Sequence, residues 1–264
     1  MIEAISRKTA RTLYSWFLAS NELGPRVILG IIRVIPVKLR RELVILNFLI
    51  HLKLENPLSY SQYKQDVFVS FLSKTWIDPV FLEIGAGDGV SLSNSYLLES
   101  LFGWNGTLIE PNQVFETQIK ATRTAEFCAM AITTLPVEFL RLHPGKRGEF
   151  SKTTIDDLGD GAETYLVKTI QARDLFLRYE FADLSYLSLD IEGNEELILE
   201  EMFQTSCRPF FITVEHNFDS QKMKILRKLA GVHNYILIGK SLSEVDYWFI
   251  RRDVHENFCK NYLN

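Results

Sequence analysis

The stretch PVFLEIGAGDG, residues 79–89, constrains the fold more than any other part of the chain. A short apolar run between Pro79 and Gly85 has the look of a buried parallel strand, and it ends beside an acid, Glu83. Gly85, Ala86, Gly87, Asp88 and Gly89 then form a tight turn, and SLSNSYLLESLF (91–102) continues at helical spacing. Strand, glycine turn and helix N-terminus in that order are how α/β proteins seat a nucleotide-like ligand.

The pattern repeats downstream. GTLIE (106–110) reads as a second strand, PNQVFETQIKATR as a helix with Pro111 near its start, and EFCAMAI (126–132) as a third strand. The alternation breaks between about Pro136 and Val167. There HPGKRGEFSKTTIDDLGDGAE (143–163) is rich in glycine, charge and small polar residues, which fits either a surface loop without a role or a substrate-facing lid. Regularity returns with a helix in ARDLFLRYEF, a strand in LSYLSLDIEG (184–193) and a helix in NEELILEEMF, for which Asn194 is a credible N-cap. A strand in PFFITVEHN (209–217), a helix in SQKMKILRKLAG, and closing strands in YILIG and DYWFIRR complete the chain. Strands alternating with helices imply parallel crossovers, so the expected fold is a Rossmann-like α/β sheet of roughly seven strands.

Charge divides the chain unevenly. Residues 1–54 hold 9 Lys+Arg against 3 Asp+Glu, a net +6, while the remainder holds 20 against 30, a net −10. A main domain of that sign argues against a polynucleotide partner. The basic part mixes apolar runs, VILGII (27–32) and LVILNFLIHL (43–52), with Arg33, Lys38, Arg40 and Arg41. None reaches the ~20 uninterrupted apolar residues of a membrane span. The segment reads either as amphipathic helices packed on the main domain or as a peripheral anchor on an anionic membrane surface. We take residues 1–54 as a helical extension and 55–264 as the main domain. Cys128, Cys207 and Cys259 lack metal-ligand spacing and read as free thiols, and no secretory signal is visible, so a cytoplasmic location is expected.

The glycine turn excludes some ligands. A P-loop needs Gly-Lys-Ser/Thr, and no lysine stands near Gly89. The dinucleotide fingerprint wants glycine or alanine where Val90 stands, and Asp88 would confront a pyrophosphate with like charge. Glu83 and Asp88 suit a cation instead. S-adenosylmethionine (SAM), with a sulfonium, an amino group and no phosphate, fits best. Glu110, ending the next strand 21 residues after Gly89, can accept hydrogen bonds from ribose hydroxyls, and the adenine would lie near Ala131.

A second group of polar residues ends the later strands. Asp190 and Glu192 close one strand, and Glu215, His216 and Asn217 close the next. Methyl transfer to a hydroxyl needs an aligned oxygen and a base. His216 has the ordinary pKa for that work, and Asp190 can take the proton or orient the hydroxyl. Asp190 with Glu215 or Asn217 also offers the oxygen donors that Mg²⁺ prefers.

SQYKQD (61–66), FLEIGAGDG (81–89), LIEPN (108–112) and YLSLDIEGNEELIL (186–199) together resemble the FkbM family of SAM-dependent methyltransferases. The resemblance runs from about Ser61 to Asn217 and leaves the basic segment unexplained. It implies a class I methyltransferase fold, with seven strands and an antiparallel last strand, and SAM as methyl donor. It further implies O-methylation of a hydroxyl on a sugar, glycan or polyketide. By resemblance, Glu83, Gly85, Gly87 and Glu110 meet the cofactor, and Gln62, Gln65 and Asp66 belong to a wall over it. Ser61 could instead act there as a helix cap. Lys64 departs from the family, whose members often have glycine there. Two other readings remain: a SAM-binding protein without catalysis, and an enzyme acting on a polyketide or lipid hydroxyl.

Overall fold

The computed structural model describes residues 57–144, 152–154, 164–179, 184–239 and 242–263, with positions 44–45, 48–49, 51–52 and 55 ahead of them. The chain divides into two compact units, residues 58–252 and residues 1–57 together with 253–264.

The strands of the larger unit are β1 (Val80–Ile84), β2 (Asn105–Ile109), β3 (Glu126–Cys128), β4 (Ala131–Thr133), β5 (Phe139–His143), β6 (Lys152–Thr154), β7 (Tyr165–Gln171), β8 (Leu184–Leu189), β9 (Phe211–Glu215), β10 (Tyr235–Ile238) and β11 (Asp246–Arg251). Its helices are α1 (Gln65–Leu72), α2 (Tyr96–Phe102), α3 (Glu116–Thr122), α4 (Ala172–Leu177), α5 (Glu195–Gln204) and α6 (Ser220–Val232). Seven strands form one sheet in the order β10-β11-β9-β8-β1-β2-β3. β1, β2, β3, β8 and β9 pair in parallel, and β11 runs antiparallel to both β9 and β10. This is the expected α/β architecture with its antiparallel last strand.

The sheet is covered on both faces, which is why its strands read as nearly continuous apolar runs. On one face Leu82, Ile84, Leu187, Leu189, Ile212 and Val214 join Ile198, Leu199 and Met202 of α5 and Leu175 and Phe176 of α4 in the main core. The opposite face is aromatic: Phe211 packs against Phe68 of α1, Tyr186 and Trp248. Beyond the aromatic rows this second face turns polar, with Glu83, Ser188 and Thr213 at the carboxyl ends of their strands. That polar end is where a ligand can enter.

Three sequence expectations need correction. EFCAMAI is two strands, not one: β3 belongs to the main sheet, while β4 pairs with β7 in a separate four-stranded sheet of order β4-β7-β5-β6. The interval from Pro136 to Val167, expected to be irregular, contains β5, β6 and the start of β7. Such short strands lack the helical or buried-strand periodicity that would reveal them. The remainder of the 143–163 stretch, where a loop or lid was expected, lies outside the described residues. Finally, the helix after the glycine turn starts only at Tyr96, so residues 90–95 stay irregular.

In the smaller unit α7 (Arg252–Leu263) buries Phe258 and Cys259, and His255 Nε2 lies 3.8 Å from Cys259 Sγ. The expected helical extension or membrane anchor of residues 1–54 lies almost wholly outside the described residues. Among the described residues no helix is long and apolar enough to cross a membrane. Cys128, Cys207 and Cys259 are free thiols.

Candidate active site

Sheet register builds the site. Ile84 is level with Ile109 and Leu189, Leu189 with Val214, and Glu215 with Asp246. One residue further along, Glu110, Gly85, Asp190, Glu215 and Asp246 therefore stand in a row across the carboxyl end of the sheet. They line a cavity of about 260 Å³. An open parallel sheet takes its ligands at this end.

Gly85 is required in that row. Its φ is +85°, and a Cβ there would sit 1.6 Å from the Asp190 carbonyl oxygen. Most N–H groups of the turn it opens are already bonded. Gly85 and Ala86 N–H donate to the Ile109 carbonyl at 2.9 and 3.2 Å, and Gly89 N–H donates to that of Ala86 at 2.9 Å. Gly87 N–H donates to Glu110 Oε2 at 2.9 Å, and Val90 and Ser91 N–H donate to Asp88 Oδ1 at 2.8 and 2.6 Å. A phosphate-binding turn offers free N–H groups and a following helix N-terminus. This turn bonds most of its own N–H groups and runs into irregular chain up to Tyr96. The cavity lining adds the same message in charge: seven carboxylates (Glu83, Asp88, Glu110, Asp190, Glu192, Glu215, Asp246) and, among the described residues, no lysine, arginine or histidine. These residues fit a ligand carrying a sulfonium and an ammonium, and they oppose one carrying pyrophosphate.

The expected cofactor residues differ in how they face the cavity. Ala86, Gly87, Glu110 and Ala131 line it, as do Gln62 and Gln65. Burial pushes Glu110 up to about 7 against the N–H groups of Asn112 and Gly87, which stabilise its anion. Burial would also raise Asp88, but its hydrogen bonds from Val90 and Ser91 prevail and hold it below the ordinary value. Glu83 lines the cavity with its oxygens already committed: Oε2 accepts from Ser93 Oγ (2.9 Å) and Ser95 Oγ (2.5 Å), and Oε1 accepts from Asn94 N–H (2.6 Å). Burial raises its pKa, opposed by Arg123.

Asp66 does not line the cavity. Its carboxylate accepts from Ser59 and Ser61 hydroxyls (both 2.6 Å) and from Tyr60 N–H (2.7 Å), which folds residues 59–61 over α1. The wall it braces reaches the cavity through Gln65, whose Nε2 donates to Asp246 Oδ2 at 2.6 Å. Lys64, expected to depart from the resemblance at this place, sits at φ +63°, a conformation that favours glycine.

At the strand ends, Asp190 opens onto the cavity while protein crowds its other sides. Burial raises its pKa well above the carboxylate range, and Glu215, Glu192 and Asp246 add to the effect. Glu215 is raised to about 7, first by burial and then by Glu192, and hydrogen-bonds with Asp190. Asp246 is raised to about 6 by burial. Glu192 lines the cavity at φ +59°.

His216 is not in the cavity. Strand alternation puts it on the opposite face from Glu215, where its ring packs 4.4 Å from that of Tyr247 and its Nδ1 accepts the Phe218 N–H at 3.1 Å. Asn217 is exposed and outside the cavity lining, and it donates Nδ2–H to Glu215 Oε2 at 2.6 Å. Ligand atoms of Asp190, Glu195 and Glu215 lie within 4.8 Å of one another.

Three contributors carry no role in the sequence reading. Asp246 begins an antiparallel strand, and that alone brings it to the carboxyl end of its parallel neighbours. Arg123 is buried, and its guanidinium donates to Gly89 O (2.7 Å), Ser95 Oγ (2.8 Å) and Glu99 Oε2 (2.6 Å). It so ties the glycine turn to α2 and α3. Glu195 pairs with Lys222, 27 residues away. An acid opening a strand was readable as a candidate; the other two partnerships have no sequence signal.

Solved structures resemble the chain only distantly. They include a precorrin-6y C5,15-methyltransferase from Geobacter metallireducens (12% identity, 70% of this chain and 85% of that one, TM-score 0.38) and an O-methyltransferase from Bacillus cereus (13%, 82% and 91%, 0.39). A human methyltransferase 10 domain containing protein is a third (10%, 70% and 80%, 0.37). No curated protein matches the chain. One family model, described as the methyltransferase FkbM domain, matches residues 83–251 and so takes in the glycine turn, Glu110, the Asp190 loop and Glu215. With that match over most of its length, the chain belongs to the FkbM methyltransferase family and is a SAM-dependent methyltransferase.

Proposed function

We propose that this protein methylates a hydroxyl of a sugar, glycan or related small molecule. The observation that carries the proposal is the Asp190–Glu215 pair, raised in pKa and set in the same cavity as the glycine turn and Glu110. SAM, when bound, supplies an electrophilic methyl group on sulfur. Among the residues lining the cavity, Glu110 would hold the ribose hydroxyls, Ala131 and Ile132 would lie beside the adenine, and the carboxylates near Gly85 would complement the positive charge.

A neutral alcohol is a poor nucleophile, so its proton must leave as the oxygen–carbon bond forms and the carbon–sulfur bond breaks. The Asp190–Glu215 pair receives that proton. A group titrating near 7 is matched to the task at neutral pH. Glu215 thus takes the role that the sequence suggested for His216, whose ring lies on the other face of the sheet. Gln62 and Gln65, with Glu192 and Asp246, offer hydrogen bonds to a polyhydroxylated acceptor, and the acidic lining disfavours a polynucleotide.

A second reading adds Mg²⁺. The observation in its favour is the approach of the Asp190, Glu195 and Glu215 ligand atoms to within 4.8 Å. Against it, the Lys222 ammonium sits on Glu195 and the Asn217 amide on Glu215. Peripheral membrane contact through the basic N-terminal segment would suit a lipid-linked glycan acceptor.

Calorimetric titration with SAM, with NAD in parallel, tests the cofactor. SAM binding without NAD binding is expected, and the reverse overturns the charge argument. Release of S-adenosylhomocysteine across a panel of sugar acceptors then tests the chemistry. Turnover that survives EDTA removes the metal reading, and SAM binding with no turnover on any hydroxyl acceptor favours a non-catalytic protein.

A further inference from the structure

We infer that Lys222 and Glu195 form a positioning clamp that sets the Asp190 loop against the Glu215 strand end. This rests on the reading of Asp190 and Glu215 as the proton-accepting pair.

The loop between β8 and α5 has a backbone that does not hold itself. Glu192, Gly193 and Asn194 have φ of +59°, +148° and +66°, three left-handed values in succession of which two fall on residues with a Cβ. Such a path persists only where its surroundings over-determine it. Asn194 stands at the N-cap position and makes no side-chain cap bond, so the residue the sequence suggested for that work does not do it. Glu195 instead bonds backward into the loop. Its Oε1 accepts the N–H groups of Gly193 at 2.9 Å and Ile191 at 3.3 Å, folding back over the turn that follows Asp190.

The other oxygen of Glu195 carries the second half of the clamp. Oε2 accepts from Lys222 Nζ at 2.5 Å, with the two side chains 0% and 12% exposed. Burial works against the ammonium, and Glu195 more than offsets it, holding the lysine above its ordinary pKa. Lys222 belongs to the first turn of α6, where its own N–H donates to the N-cap Asp219 Oδ1 at 3.0 Å. Asp219 N–H in turn donates to the His216 carbonyl at 2.8 Å, one residue past Glu215.

A continuous chain of bonds therefore links the two strand ends. It runs from Ile191 and Gly193 through Glu195 and Lys222 to Asp219 and His216. The sheet aligns Asp190 with Glu215 only as far as Leu189 and Val214, where ladder pairing stops. Beyond that point, this ion pair spans the gap between the loops. Neither residue lines the cavity, which is why both are positioning residues and not catalytic ones.

The test uses the full chain with Lys222→Met, Lys222→Arg and Glu195→Gln. Site-resolved amide hydrogen exchange should quicken at least tenfold at Ile191 and Gly193 in Lys222→Met and Glu195→Gln, while Leu187 within β8 keeps its wild-type rate. SAM affinity by calorimetry should fall about tenfold in Lys222→Met, and Lys222→Arg should restore both readouts to within about threefold of wild type. A purely structural role would quicken exchange throughout the sheet and leave no local contrast. Unchanged exchange at Ile191 and Gly193 in a folded Lys222→Met protein overturns the clamp. Should wild type fail to bind SAM, the cofactor reading falls, and the exchange data still decide the clamp.

Discussion

Lys64 shows what one residue can tell. Its φ of +63° is a conformation in which a Cβ is crowded by the backbone, costing roughly 1–2 kcal/mol relative to an ordinary conformation. Glycine avoids that crowding but loses more entropy on folding. The balance predicts that Lys64→Gly raises the unfolding free energy by about 0.5–1 kcal/mol in urea titration, with SAM affinity unchanged. The wall survives a lysine at this position because Asp66 pins residues 59–61 through four side-chain and backbone donors and Gln65 anchors to Asp246.

At the scale of the element, strand alternation decides which polar residue serves the cavity. Along β9, Thr213 and Glu215 share one face; Val214 and the adjoining His216 share the other, against the main core and Tyr247. The segment VEHN contains a plausible base at two consecutive positions, and only one can point inward. Glu215→Gln should therefore lower the methyl-transfer rate by ~10²-fold or more, the usual worth of a positioned base. His216→Gln should leave the rate within a few-fold of wild type. Rates measured as S-adenosylhomocysteine released under saturating SAM distinguish the two. Equal losses would mean that the end of β9 is repositioned in the bound state.

At the scale of the molecule, the cavity gathers carboxylates from five strands, and the burial of Glu83, Glu110, Glu215 and Asp246 makes it a poor place for negative charge. Glu110 is the member whose effect on stability can be isolated. Its folded-state pKa of about 7 exceeds the ordinary 4.5, so between those values the folded protein holds a proton that the unfolded chain has released. Stability thus falls as pH rises from about 4.5 to about 7 and then levels off, an effect on the order of 3 kcal/mol. Glu110→Gln removes that dependence. The ligand-free variant should gain on wild type across this window and keep its relative gain above it, as thermal or urea unfolding at several pH values would show. It should also bind SAM more weakly, having lost one acceptor oxygen. A stability difference that stays flat with pH would place the Glu110 carboxylate in contact with solvent.

The local sequence of residues 79–110 and 184–217 by itself determined the alternating fold, the glycine turn and the acids that end the strands. Each is a short-range matter: apolar runs bury strands, positive φ selects glycine, and a carboxylate repels phosphate. That reasoning also brought Asp190, Glu110 and Glu215 forward. It could not decide which strand-end residues meet, because the row Glu110–Gly85–Asp190–Glu215–Asp246 comes from register between strands far apart in the chain. Nor could it see that Asp66 braces the wall from outside the cavity, that His216 faces away, or that Lys222 closes on Glu195. Those outcomes depend on long-range pairing and on the parity of side chains across a sheet, and only the tertiary structure settles them.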